Sequence, residues 1–583
     1  MKLKSLVLAG VAGAIALACL TLRTETNFGA VGSLRIKHVL LLSIDGMHAV
    51  DFYNCAHGVA GVNGGNPYCP NLAALAQTGI NYVNTTSSRP SDSFPGLTAL
   101  ITGGTPKSTG VYYDVAYDRS LDPPATTTGT GLAGGTCTPY AAPTGTTTDF
   151  DQGIDIDDTM LNGGAPGALP TEGGIASIDP NHLVRNPALG CAPVYPWNFL
   201  RTNTIFGVVH AAGGYTAWID KHPSYSSAAG PGGTGLNDYY SPEVDSNVIP
   251  LPGVTTAQGV SCAPVRDPIA GTWTGSFANI QCYDALRVQA LLNEIAGKTH
   301  NGAAAMTPAL FGMNFQSVYF GQSLNEPSVG VGGYLNAAAV PSDQLLGEIE
   351  FVDASIGEIV NALKDADLYN DTLLIITAKH GESPINTSQY VADGANTPAT
   401  LLANVIPPSE SPLTPGGIGA TEDDVSVLWL APGATVSAAL TILNNNATAI
   451  GLGEIYYGPT LALNYNTGGL GPGLDPRSPD IIVTPNVGVT YSSSTSMVGD
   501  HGGFAHDDTN VILLVANPVF TAQTVSAPTS TTQVAPTIVQ ALGLKPALLD
   551  AVRAEGTPVL PEVGAQVAKK SLAGQEGRAR LTP

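Results

Sequence analysis

The stretch Ser91-Asp92-Ser93-Phe94-Pro95-Gly96-Leu97-Thr98-Ala99-Leu100-Ile101-Thr102-Gly103-Gly104 puts a hydroxyl where an apolar helical pattern begins. Pro95 falls in the first turn, where its missing N–H costs nothing. A hydroxyl there can cap orphan amides, or it can be a nucleophile whose attacked anion sits on the positive end of the helix. Three other stretches favour the nucleophile. The apolar run Lys37–Ile44 delivers Asp45-Gly46, the run Thr372–Ala378 delivers Lys379-His380-Gly381, and Gly499-Asp500-His501-Gly502-Gly503 precedes the run Asn510–Val515. Open parallel sheets keep their chemistry at such strand ends.

The elements that must hold these residues alternate. Helical patterns are expected at 71–77 with Gly79 as the stop, across the amphipathic run 197–212, and at 283–295, 343–364 and 535–542. Strands are expected at 80–83, 215–222, 309–315, 423–430 and 480–483. This alternation predicts a three-layer αβα fold with a mostly parallel central sheet. The regular pattern is interrupted by Gly-, Thr- and Pro-rich insertions at about 120–195 and 223–282. The first carries Asp149, Asp151, Asp155, Asp157 and Asp158, which lack the glycine placement and closing glutamate of a calcium loop, so a solvated loop is expected.

The 583 residues include 68 Gly and 44 Pro, with 12% charged residues and a formal charge of -23. That field repels a nucleic acid polymer but leaves room for a small anionic ester that meets local cations. Met1-Lys2-Leu3-Lys4 followed by the apolar 5–22 has the form of an export signal, assigned to residues 1–30, which implies a periplasmic or secreted protein. Cys19 after Ala16-Leu17-Ala18 is a weak match to lipoprotein processing, and no later segment is apolar enough to span a bilayer. Beyond the signal, Cys55, Cys69, Cys137, Cys191, Cys262 and Cys282 are expected to pair by sequence proximity, 55 with 69, 137 with 191 and 262 with 282. One domain is expected over 31–560, followed by a disordered tail at 561–583.

Four motifs agree in order and spacing with the alkaline phosphatase superfamily: Ser-Ile-Asp-Gly ending at Gly46, Ser-Phe-Pro with Thr-Gly-Gly-Thr-Pro-Lys-Ser-Thr-Gly-Val ending at Val111, Asp-Thr-Leu-Leu-Ile-Ile-Thr-Ala-Lys-His-Gly ending at Gly381, and Asp-His-Gly-Gly ending at Gly503. The chain most resembles the type I phosphodiesterase/nucleotide pyrophosphatase branch. The resemblance implies hydrolysis of phosphodiester or pyrophosphate bonds through a phospho-Ser intermediate, with Ser93 as nucleophile. It also implies divalent metal, zinc first and calcium or magnesium as alternatives, on Asp45, Ser93, His380 and His501, with Asp500 as a compensating ligand.

The departures are as informative. Lys379 stands where the family has a carboxylate ligand, and an ammonium cannot coordinate a cation. After Phe315 the family's Pro-Asp and following His are missing, and Gln316 and Gln322 offer only neutral groups. Asp114 stands where this branch places an Asn near a phosphoryl oxygen, and it needs a neighbouring cation. Lys379 is the candidate, either as a catalytic substitute for part of a metal's charge or turned outward in a surface pair. Lys221 and His222 could bind substrate or stabilise a leaving group, although structural pairing with Asp220 or Asp238 is the simpler expectation. His506-Asp507-Asp508 is expected to cap the loop before the last strand. The competing readings are a sulfate or other ester hydrolase on the same fold and a non-catalytic envelope protein with a degenerate site.

Overall fold

A computed structural model describes residues 36–165, 172–247, 251–263, 272–402, 419–430, 435–492, 494 and 496–567. The proposed export signal, Cys19 and the tail beyond 567 lie outside the described residues.

Eight strands form the central sheet: β1 (His38–Ile44), β2 (Gly79–Tyr82), β3 (Ala217–Ile219), β4 (Asp238–Tyr240), β5 (Leu310–Phe315), β6 (Thr372–Thr377), β7 (Leu513–Ala516) and β8 (Gln523–Val525), in the spatial order β8-β2-β7-β6-β1-β5-β3-β4. β1 pairs in parallel with both β5 and β6, while β7 runs antiparallel to β6 and β2. The side chains of β1 are apolar on both faces because helices cover both. Leu40, Leu42 and Ile44 pack with α1 (Ala49–His57), α2 (Pro70–Ala76), α5 (Phe277–Ile295) and α6 (Asp343–Asp365). Val39 and Leu41 pack instead with α3 (Ser93–Thr102), α4 (Ile205–Ala211) and α7 (Val534–Ala541). The architecture is the three-layer αβα sheet that the alternation predicts.

A smaller antiparallel sheet of Gly419–Glu422, Ser426–Leu428, Ile481–Pro485 and Leu452–Tyr457 stands beside this core. Several expected elements are shorter or broken. The amphipathic run at 197–212 splits into Pro196–Phe199 and α4, Gly79 opens β2 instead of ending a helix, and the strand at 215–222 shortens to β3. Beyond that end the Asp220 N–H still donates to the Tyr240 carbonyl at 3.1 Å, and Lys221 and His222 follow. The solvated loop expected at the acidic run holds only in part: Asp157 is exposed, but Asp149 is 5% exposed and Asp155 is fully buried. The chain also stays packed past 560, since Val563 is buried in the α3-side core and Tyr82 donates to the Pro561 carbonyl at 2.6 Å. The disulfides Cys55–Cys69, Cys137–Cys191 and Cys262–Cys282 match the expected pairing.

Candidate active site

Register brings the chemistry to one edge. Ser43 of β1 pairs with Thr377 of β6, and Ile44 with Phe315 of β5, so Asp45, Gln316 and Lys379-His380 leave neighbouring strands at the same end. Asp220 and Lys221 leave β3 at that end too. Asp92 precedes α3 in extended conformation, and Ser93 is the first helical residue. The helix can approach this edge because residue 96 is Gly: a Cβ there would lie 2.4 Å from the Lys379 carbonyl oxygen.

Ser93 Oγ is the meeting point. The Lys221 ammonium donates to it at 2.8 Å, and the hydroxyl faces His380 Nε2 at 3.2 Å. His380 Nδ1 lies 2.8 Å from the Gly381 carbonyl, which fixes the tautomer with its proton on Nδ1 and a lone pair on Nε2 toward Ser93. Burial, then the charge of His501, lowers His380 to about 4. Burial alone would lower the Lys221 ammonium, but Asp45, Asp114 and Asp92 outweigh it and raise its pKa. Lys221 thus reaches the serine; its link to Asp220 is through its backbone N–H, and Asp238 pairs with His300.

Lys379 is fully buried, not turned outward. Its ammonium donates to Asp220 at 2.7 Å, lies 3.8 Å from Asp45 and sits over the Tyr225 ring at 4.5 Å. The Tyr225 hydroxyl donates to both Asp114 oxygens at 3.0 and 2.9 Å, so Lys379 and Asp114 are joined through a tyrosine instead of touching. Burial, then Asp92, raises Asp114 to about 7.

Asp45 accepts from the Asn314 and Gln316 amides at 2.7 Å each and faces Lys379, Lys221 and His380 within 4 Å. Burial opposes its charge, yet Lys379 and His380 hold the carboxyl well below its usual range. Its lone pairs are committed to N–H donors, and an ammonium already stands on Ser93 Oγ. The residues at this position therefore do not fit a divalent ion. Gln316 turns its nitrogen, not its oxygen, toward the aspartate.

The neighbouring position does fit one. The His501 ring stacks on His380 at 3.8 Å, and His501 faces Glu382, Asp92 and Asp500 at 3.5, 3.6 and 3.7 Å. Glu382 is 2% exposed, and both its oxygens and His501 Nδ1 are buried without a hydrogen-bond partner. Burial opposes a proton on His501, but Asp92 and Glu382 raise its pKa to about 10. Donor atoms of His380, Glu382 and His501 lie within 4.8 Å of one another. Asp500 turns back so that one oxygen accepts the His501 N–H at 2.9 Å. His506-Asp507-Asp508 has the capping role, with Asp508 accepting from the Ala505 N–H at 3.0 Å.

A cavity of about 530 Å³ opens on this edge, lined by Asp92, Asp114, Lys221, His222, Asp245 and His501 among others. His222 is held at 2.8 Å by Glu243. Glu382, Asp220, Asn314 and Tyr225 were not singled out from sequence as parts of the site. Glu382 alone carried a signal, directly following the motif that ends at Gly381.

The family model for type I phosphodiesterase / nucleotide pyrophosphatase matches residues 39–147 and 336–504. No curated protein matches the sequence. Murine ectonucleotide pyrophosphatase / phosphodiesterase 5 superposes with a TM-score of 0.50 at 14% identity, covering 87% of this chain and 95% of that one. Phosphonoacetate hydrolase from Sinorhizobium meliloti 1021 gives 0.47 at 15% identity, over 88% and 96%. Wild-type alkaline phosphatase PafA gives 0.48 at 12% identity, also over 88% and 96%.

Proposed function

Since this chain is an alkaline phosphatase superfamily hydrolase of the type I phosphodiesterase/nucleotide pyrophosphatase kind, we propose that it is exported and cleaves phosphodiester or pyrophosphate bonds with Ser93 as nucleophile. The observation that carries the reading is the pair of contacts on Ser93 Oγ, an ammonium at 2.8 Å and a lone-pair nitrogen at 3.2 Å. The three disulfides support an oxidising compartment.

As Ser93 Oγ attacks phosphorus, its proton passes to His380 Nε2 and the bond to the leaving oxygen breaks on the opposite side. Lys221 stabilises the forming alkoxide, a share of the work that relatives give to a metal. Lys379 keeps Asp220 and Asp45 paired, which holds the lysine-aspartate lattice in register. The leaving oxygen takes a proton from solvent and His380 gives its own to solvent; water then attacks phosphorus as His380 Nε2 accepts its proton, the phospho-Ser bond breaks, and that proton passes to Ser93 Oγ. His501 and Glu382, whose donor atoms are buried without a partner, are the residues that would hold one divalent ion, and their imidazole-carboxylate character suits zinc. Bound there, the ion would supply Lewis-acid charge to a phosphoryl oxygen.

The test is turnover of phosphodiester, phosphomonoester and sulfate ester probes by the wild type, Ser93→Ala and Lys221→Met. The expected result is diester hydrolysis that falls by about 10³-fold or more in Ser93→Ala and about 10²-fold in Lys221→Met. The sulfate probe is included because a buried lysine, Lys221, stands on the serine. Diester turnover that survives in Ser93→Ala would remove the serine from the mechanism.

A further inference from the structure

Two side chains of this protein activate Ser93 by themselves. His380 Nε2 faces its hydroxyl at 3.2 Å, and the imidazole is oriented through its other nitrogen by the Gly381 carbonyl, 2.8 Å from Nδ1. Stacking on His501 at 3.8 Å fixes the plane of the ring as well. A nucleophile, a base within hydrogen-bond reach and a third group that orients the base is the arrangement that turns serine on carbonyl carbon in unrelated folds. The Lys221 ammonium, 2.8 Å from the same oxygen, supplies positive charge where an oxyanion would form. The N–H of Phe94, the residue after the nucleophile in the first turn of α3, has no hydrogen-bond partner among the described residues and is a second donor for such an oxygen.

The cavity beside these groups favours a neutral substrate. Six of the side chains that line it are carboxyls, including Asp114, Asp151, Asp245 and Asp423, against one ammonium and two imidazoles. Every negative charge on a substrate is repelled by such walls, and a neutral ester avoids that cost. Its charge appears only in the transition state, as a single oxyanion that one ammonium can balance. We propose that this chain also hydrolyses neutral carboxylic esters through an acyl-Ser93 intermediate. Ser93 Oγ attacks the carbonyl carbon while His380 Nε2 takes its proton, and the carbonyl π pair moves onto the oxygen. As that oxygen re-forms the carbonyl, the bond to the alcohol oxygen breaks and His380 gives the proton to the departing alcohol. Water then attacks the acyl carbon with His380 as base, the bond to Ser93 Oγ breaks and the proton passes to Ser93, leaving a carboxylic acid. The inference shares Ser93 with the proposed phosphodiester cleavage but needs neither a phosphoryl group nor a bound ion.

The test uses the full chain with p-nitrophenyl acetate, read as release of p-nitrophenol and as the mass of the peptide that carries Ser93. The wild type is expected to turn the ester over and, when quenched early, to hold an acetyl group on Ser93. Ser93→Ala should lose the acetyl group and about 10²-fold or more of the turnover, and His380→Gln about 10²-fold, with thermal unfolding checking that each variant is folded. Prior treatment with a chelator should leave ester turnover in place. Equal ester turnover in the wild type and Ser93→Ala, absence of acetyl-Ser93, or loss of ester turnover on chelation from a protein that stays folded would each overturn the inference. Acetyl-Ser93 and ester hydrolysis without diester turnover would uphold it and refute the phosphodiester reading; diester turnover without either would refute this inference alone.

Discussion

Lys379, fully buried, and Asp114, half-buried, both belong to the site's charge network, and their effects differ in kind. Lys379 is locked between Asp220 and Asp45 inside the protein, so Lys379→Met strands two buried carboxylates. We expect that variant to lose activity and about 3–5 kcal/mol of stability together, measured by urea unfolding. An inactive variant of unchanged stability would show the pairing to be unimportant. Asp114 acts through its charge. It is surrounded by Asp92, Lys221, His222, Tyr225 and Asp151, with a pKa of about 7 set by burial and then Asp92. Between the ordinary carboxyl pKa and about 7, the unfolded chain sheds this proton while the folded chain keeps it, so stability falls as pH rises through that window. An anionic substrate meets a neutral Asp114 below pH 7 and a charged one above it. KM for a diester should therefore climb above pH 7 in the wild type and stay flat in Asp114→Asn; an equal climb in both would assign the effect elsewhere.

Helix α3 and the ends of β1, β3 and β6 form a single mechanical unit. The helix carries Ser93, and its distance from β6 is set at Gly96, which packs against the Lys379 backbone. Alanine at 96 would add up to about 1 kcal/mol of helix propensity, but the 2.4 Å approach to a carbonyl oxygen outweighs it. Gly96→Ala should cost about 1–3 kcal/mol and pull Ser93 away from Lys221 and His380, lowering kcat more than it raises KM. Unchanged kcat would mean that the helix shifts without moving the serine.

At the scale of the molecule, charged pairs tie the small sheet's surroundings to the central layers. Arg201 binds Asp475 through two contacts of 2.6 Å, and Arg477 reaches Asp118 at 2.8 Å. Burial would raise Asp475, but Arg201 holds it at about 2. Its contribution is complete above the ordinary carboxyl pKa and is lost as pH falls toward 2. The melting temperature of Arg201→Met should lie below that of the wild type at pH 6 and converge on it by about pH 2; a gap independent of pH would point to packing alone. The local pattern was enough to mark the alternating elements, the strand-end positions of Asp45, Lys379 and His380, the helix start at Ser93 and the cysteine pairing by proximity. Each of these depends on periodicity or spacing along the chain. The amide donors that saturate Asp45, the reach of Lys221 across the pocket to Ser93, the Tyr225 link and the burial of Asp155 were decided only by the tertiary structure. Those contacts join residues from separate strands and insertions, and the direction in which a long or amide side chain points is set by the neighbours that folding supplies.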